Sequence, residues 1–596
     1  MALVAALAGG ALAQTIGTAQ IHAPAVLLQN NTGVITTISL AVSPGNGDVT
    51  VTGPAEVASS TVNSARTAAD AGAQYLGLNP NSYNFSYVIH DFTANVSGPS
   101  AGGAMAMLAV SALSGRQLRS DFTMTGTISP DGSIGVIGGV YDKVGAASAD
   151  GLGLVLVPRV PSTSFEDELY LLAQERYGIP VVQVSNLSQA SAYAFSYAPG
   201  IGNETSYNFS TTHYPVSMPN ASISCSNGCN MSAFNSLTEF TVGFTRNAIA
   251  GFSYHPAFAQ TGSQMEQDLE SAQRLAEKGY LYAGADAAFL DYLNAYIFLN
   301  NNATRAGGLQ TLQSISASCA SIYPPQMTST NYEYVIGGEL RKGWAQYTLN
   351  STIGTYNATA IDSDGVIENL YSGGTANAWC AAASYMFNAS MGMGGTPIVP
   401  GASLAGVAQA RISRAEAFGP SLYLSTAQQA YSAHNYPVAI FDADYAYSFG
   451  IPENGTSTGT LLANARMLAA NATYGVWASQ FANEAMMYYY AAASANATAA
   501  RSDAVNAYQT AMLASQLGND TRNVFAGLVA TNTTTTIPVA TTSTGVPPFA
   551  PASHGIIYIL LGITILLLVS LLVALVLLAR SAKRAQTRSR RRRRRA

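Results

Sequence analysis

The sequence predicts an α/β domain followed by a mostly α-helical region, a stalk and one C-terminal transmembrane helix. Three observations carry this expectation: strand and helix patterns alternate across residues 20–197, Ala, Leu and Tyr recur at helical spacings across 238–530, and an uncharged apolar run fills Gly555–Ala579. Of the 596 residues 48% are apolar and only 10% charged, against roughly a quarter in an ordinary soluble domain, which excludes charge-driven disorder. The formal net charge of -5 hides an asymmetry. Arg580, Lys583, Arg584, Arg588 and Arg590–Arg595 all follow the apolar run, so the rest of the chain is markedly acidic and no nucleic-acid partner is expected for it.

In the first domain, Val34–Val42 and Asp48–Thr52 alternate β-branched residues, Glu56–Tyr75 reads as helix and Tyr87–Phe92 as strand. The turn Ser97-Gly-Pro-Ser-Ala-Gly102 then leads into the Ala-rich stretch Ala104–Leu113, which predicts a buried helix with Ser100 at its N-terminal end. Strand Phe122–Ile128, a helix from about Val140, strand Leu154–Val157, helix Phe165–Tyr177 and strand Pro180–Val184 complete a β-α-β-α-β run. Residues 198–237, rich in Ser, Asn and Tyr, read as a loop-rich linker. In 238–530 the helical spacing is clearest in Met265–Leu299, Leu404–Phe418, Ala427–Phe449 and Thr458–Ala493. The first and third of these place small residues where two helices would pack closely, so the region reads as an ordinary bundle or as tetratricopeptide-like hairpins.

At about 1.5 Å per helical residue, Gly555–Ala579 is long enough to cross a ~30 Å hydrocarbon core. The basic tail, 580–596, would stay cytoplasmic and put everything before the span outside the cell membrane. Residues 531–554 form a Thr/Pro-rich stalk. The start has a short apolar core with small residues at Ala11 and Ala13, as in a signal peptide over 1–13, although no basic residue precedes it. Seventeen Asn-x-Ser/Thr sequons, all before the span, fit a secreted glycoprotein. In an oxidising compartment Cys225, Cys229, Cys319 and Cys380 predict two disulfides; three pairings are open, and Cys225–Cys229 with Cys319–Cys380 is the local one. There is no zinc-type His/Cys spacing, no H-E-x-x-H and no phosphate loop, so neither metal nor cofactor is expected.

Lysine is scarce: Lys143, Lys278, Lys342 and Lys583 are the only four. Lys143 follows Gly138-Gly139 and falls in the first turn of a helix, where the positive end of the helix dipole and burial both favour a neutral amine. A neutral lysine is a base. Ser100, at another helix N-terminus, has a hydroxyl near backbone N–H groups suited to an oxyanion, so the two residues could perform nucleophilic acyl transfer. Taken alone, the pair reads first as a capping serine and an ordinary first-turn lysine, and only second as a catalytic dyad. His90 with Asp91 or Asp121 offers a Ser/His/Asp alternative that no motif supports.

Ser97–Gly102, Ser111–Gly115, Met124–Ile128, Gly132–Gly139, Asp142-Lys143 and Leu154–Pro158, in this order and spacing, resemble the proteolytic domain of Lon proteases. The resemblance covers roughly residues 20–197. It implies Ser100 as nucleophile, Lys143 as general base, and supporting roles for Thr125, hydrogen-bonded to the lysine, and for Ala101. Ser97 departs from the acidic residue usual in bacterial Lon proteases. The missing phosphate loop makes the closer resemblance one to archaeal, secreted, membrane-anchored Lon-like proteins without an ATPase module. The expected function is therefore an ATP-independent extracellular serine endopeptidase acting on polypeptides. Lon domains assemble as hexameric rings, and a homo-oligomer is left open. The alternative is a catalytically inactive Lon-like scaffold that binds partners at the cell surface.

Overall fold

The N-terminal residues build a long antiparallel hairpin in which β1 (Gly17–Leu27) pairs along its whole length with β2 (Thr32–Pro44), Gly17 opposite Val42 and Leu27 opposite Thr32. The computed structural model describes residues 15–27, 32–54, 57–90, 98–161, 164–195, 218–226, 229–358, 361–399, 401–453 and 455–526. The segments expected to form the signal peptide, most of the linker, the stalk, the transmembrane helix and the basic tail lie outside these residues, as do Asp91 and Ser97. Among the described residues, no helix is long and apolar enough to cross a membrane.

Around the hairpin grows one seven-stranded sheet in the order β3-β4-β2-β1-β5-β8-β9, with β3 (Val49–Thr52), β4 (Tyr83–Ile89), β5 (Phe122–Met124), β8 (Leu154–Pro158) and β9 (Val181–Val184). β1, β5, β8 and β9 run parallel, which requires crossovers; α3 (Val140–Ala149) and α4 (Phe165–Tyr177) supply the last two. α4 begins at Ser164, whose side chain accepts from Asp167 N–H, carries Glu166, Asp167 and Glu168 in its first turn, and stops at Gly178. The central strands β5 and β8 are buried on both faces. Leu154, Leu156, Phe122 and Met124 pack with α1 (Ser59–Tyr75), α2 (Gly102–Ser114) and α5 (Leu187–Ala194), whereas Val155 and Val157 pack with α3 and α4.

Two strands differ from the sequence reading. β4 starts at Tyr83, ahead of the expected Tyr87, and ends at Ile89. Phe122–Ile128 is two strands: β5 ends at Met124, and a separate ribbon of β6 (Thr127–Ile128) and β7 (Ile134–Gly135) follows. The break falls at Gly126, whose φ of 152° only glycine adopts readily.

The helical region comprises a single turn at Ser232–Asn235 and then α6 (Leu237–Ser253), α7 (Ala259–Glu277), α8 (Leu281–Leu299), α9 (Arg305–Ala320), α10 (Tyr332–Ala358), α11 (Ser363–Met391), α12 (Ala405–Ala415), α13 (Leu422–Ser432), α14 (Tyr436–Gly450), α15 (Thr458–Asn471), α16 (Val476–Ser494) and α17 (Ala497–Asp520). The stretches Met265–Leu299 and Ala427–Phe449 each fall on a pair of mutually packed helices, α7 with α8 and α13 with α14. Cys319 of α9 is bonded to Cys380 of α11, and Cys225 to Cys229. The helices share an apolar core with α3 and α4, in which Val144, Leu172, Ile249, Phe298 and Leu370 are buried together. Tyr141 Oη donates to Asn301 O at 2.7 Å across the same junction. The α/β domain and the helical region thus fold against each other.

Low charge does not mean that the charges are outside. Burial pushes Glu168 and Asp442 up to about 8, and Glu175, Glu333 and Glu339 up to about 7. These folded-state values exceed the ordinary carboxylate range, so between about pH 4 and 8 the folded chain holds more protons than the unfolded one, and stability falls as pH rises through that window. All three tryptophans lie in the helical region, with Trp344 Nε1 donating to Asp442 and Trp477 Nε1 to Glu333 O. Thermal unfolding followed by tryptophan fluorescence should give a midpoint several degrees higher at pH 5 than at pH 8.

Candidate active site

Ser100 sits in a one-turn 3-10 helix, Pro99–Ala101, that runs directly into α2. Gly98, at φ 137°, lets the chain turn into it, and Gly102 N–H donates to Pro99 O. The turn is held by its carbonyls. Ser64 Oγ of α1 donates to Pro99 O at 3.2 Å, Gly126 N–H to Ser100 O at 2.8 Å, and Thr125 Oγ1 to Ser100 O at 3.3 Å. Gly103 N–H returns the link to Gly126 O at 2.9 Å. The backbone of the serine is therefore locked to the end of β5, while its half-buried hydroxyl makes no hydrogen bond among the described residues. Ala101, also half-buried, lies in the same turn.

Thr125 is fully buried and continues β5 through its N–H bond to Leu156 O at 3.0 Å. Phe122 and Met124 face α2, so strand alternation turns Thr125 towards the opposite face, the one covered by α3.

Lys143 lies in the first turn of α3, which starts at Gly139 (φ 69°). A Cβ at Gly139 would come within 2.7 Å of Val26 Cγ2, so this start packs on the carboxyl end of β1. The parallel pairing of His22 with Thr123 makes Val26 level with the chain just beyond β5. Ser100 and the start of α3 therefore both stand at the carboxyl edge of the parallel strands, the edge at which open α/β sheets place their ligands.

The lysine is only 4% exposed, and its Nζ donates to Gly138 O at 2.8 Å. Burial lowers its pKa to about 8, against the pull of Asp364 and Asp362, which favour the charged form. No hydrogen bond joins Nζ to Ser100 Oγ, and Thr125 Oγ1 serves the serine carbonyl, not the amine. Of the residues in the Ser/His/Asp alternative, Asp91 lies outside the described residues, the exposed His90 ring bonds Ser39 Oγ at 2.8 Å, and Asp121 is paired with Arg119 at 2.6 Å.

An acidic corner that no sequence motif marks stands beside the Lys143 turn. Asp364 of α11 accepts from Val140 N–H at 2.7 Å and Tyr141 N–H at 2.9 Å, and Ser363 Oγ donates to Asp142 Oδ1 at 2.7 Å. These partners are more than two hundred positions away in the chain, and nothing local announces them beyond Asp362 as a good helix cap.

Fold and site together define an α/β domain with a serine on a locked turn and a buried lysine at one sheet edge. Residues 18–195 match the model of the Lon protease (S16) C-terminal proteolytic domain, and this part of the chain is a Lon-type proteolytic domain. The Lon protease of Escherichia coli (strain K12) is 38% identical over 130 residues, 21% of this chain and 17% of that protein. The Lon protease of Methylocella silvestris is 34% identical over 167 residues, 27% of this chain and 20% of that protein. Lon protease 1 of Sorangium cellulosum is 36% identical over 164 residues, with the same two shares of 27% and 20%. The chain thus matches about a fifth of the length of these curated relatives.

Replacing Thr125 with Val keeps its shape and removes the bond to Ser100 O. Urea unfolding of this variant should show a stability loss of about 1 kcal/mol with an unchanged slope.

Proposed function

We propose that the chain is a serine endopeptidase in which Ser100 is the nucleophile and Lys143 the general base. The observation that carries this reading is a buried lysine with a lowered pKa at the strand edge that also holds Ser100, within a Lon-type domain. The Lys143 amine leaves the Gly138 carbonyl and takes the Ser100 proton as Oγ attacks the scissile carbonyl. It then hands that proton to the leaving amine, and water, deprotonated by the same lysine, releases the acyl group. Catalytic hydrogen bonds are often long in the absence of substrate, so the Gly138 contact is compatible with a resting enzyme. Backbone N–H groups around Ser100 and Ala101 are the expected oxyanion donors, and Thr125 supports the turn that carries the serine.

The same proposal places the enzyme outside the cell, anchored by Gly555–Ala579 and working without ATP on polypeptides. Its support is the uncharged run followed by basic residues, the sequons, the two disulfides and the lack of a phosphate-loop motif in the sequence. A second reading, an inactive surface scaffold, draws on the Lys143 bond to Gly138 in place of one to Ser100.

Ser100→Ala and Lys143→Ala should each abolish casein cleavage on a gel while leaving the circular-dichroism spectrum unchanged. Cleavage retained by either variant refutes the dyad. Because only the neutral amine can accept the proton, kcat/KM should climb with pH and level off above about 8. A profile that is flat from pH 6 to 9 contradicts a lysine base.

A further inference from the structure

The first turn of α3 holds the lysine, and its N–H groups would ordinarily be met by water or by a capping side chain from the same strand of sequence. Here Gly139 precedes the helix and offers no side chain. The carboxylate that fills the position comes from the helical region. Asp364 is held between Val140 N–H and Tyr141 N–H by one oxygen each, and its neighbour Ser363 is tied to Asp142 of the same turn. Asp362 caps α11 through Gly365 N–H at 2.9 Å and stands over the glycine pair, its Oδ2 lying 3.6 Å from where a Gly139 Cβ would be.

We propose that Asp364 is a positioning residue for Lys143, supplied by the helical region: its carboxylate fixes the lysine-bearing turn of α3 and, with Asp362, keeps negative charge beside the amine. The inference rests on the Ser100/Lys143 reading for its catalytic consequence, but the geometry stands without it. It gives the helical region a task in the chemistry, because a peptidase domain separated from α11 would have an uncapped, unneutralised turn under its base.

The charged and titratable groups around this corner come from four elements. α3 contributes Asp142 and Lys143, and α11 with its cap contributes Asp362, Asp364 and Glu368. α4 brings Glu166 at its start and Arg176 with Tyr177 at its end, while His22 of β1 pairs with Asp150 at the far end of α3. Burial and Asp362 raise Asp364 to about 7, so near pH 8 it is mostly ionised and favours the charged lysine. Removing either carboxylate charge must therefore lower the pH at which Lys143 loses its proton.

The scarcity of lysine makes this measurable without any activity. In the full chain carrying 13C-labelled lysine, NMR gives a signal for each of four residues, and Lys143→Arg assigns the one of interest. Asp364→Asn should move the Lys143 midpoint down by about half a pH unit or more, Asp362→Asn should move it down by less, and hydrogen exchange of the 140–144 amides should speed up only in the Asp364 variant. In kcat/KM profiles the rising limb of Asp364→Asn should shift in the same direction. If Asp364→Asn does not fold, Asp362→Asn carries the test, since it leaves both bonds to α3 in place. A Lys143 midpoint that stays put in the folded variants overturns the inference, as does unchanged exchange at 140–144 in Asp364→Asn. Failure of the dyad shows separately, as casein cleavage surviving Ser100→Ala or Lys143→Ala.

Discussion

One desolvated amine organises this structure. The helix that carries Lys143 packs against β1, β2, α4 and α11; the lysine is buried, and among the described residues its amine donates to the carbonyl of Gly138. Charging a lysine in such surroundings is costly, which lowers its pKa to about 8 and leaves roughly a tenth of it neutral at pH 7. The glycines that make this packing feasible also fix its location, because α3 can approach β1 closely only where no side chain intervenes. On the other side of the sheet edge, the serine turn is immobilised through its carbonyls and not through its hydroxyl, so the reactive group is left unengaged.

The helical region extends the same packing instead of standing apart from it. Ile249, Phe252 and Phe258 at its start share one buried core with Leu169 and Leu172 of α4, and Arg176 at the end of α4 donates to Asn302 at 2.7 Å. α11 is pinned twice, by the Cys319–Cys380 bond to α9 and by the carboxylate of Asp364 on α3. Buried carboxyl groups on both sides of the junction, Glu168 and Glu175 in α4 and Asp364 in α11, give the whole unit the same direction of pH response.

What the sequence disclosed was governed by distance along the chain. Ser100, the glycine pair before Lys143, and the strands and helices from Leu154 to Val184 are set by neighbours within about ten residues, and there the reading and the structure agree closely. The local cysteine pairing likewise matches. The end of β5 did not show, because Thr125 and Thr127 continue the strand pattern and the interruption is made by Gly126 bonding to the serine turn. β1, with Pro24 and several alanines, lacks a strong strand signature and owes its pairing to β2. Asp362–Asp364 was invisible for the same physical reason: a capping pair carries no periodicity and no motif when its two halves are more than two hundred residues apart.

The most direct measurement is covalent labelling of the purified full chain with a serine-directed acylating probe, located by peptide mass spectrometry in the wild type and in Lys143→Met. A Ser100 nucleophile with a Lys143 base gives modification at Ser100 in the wild type, faster at pH 8.5 than at pH 6.5, and none when the amine is removed. Equal labelling of Ser100 in both proteins, or none in the wild type at either pH, would contradict it.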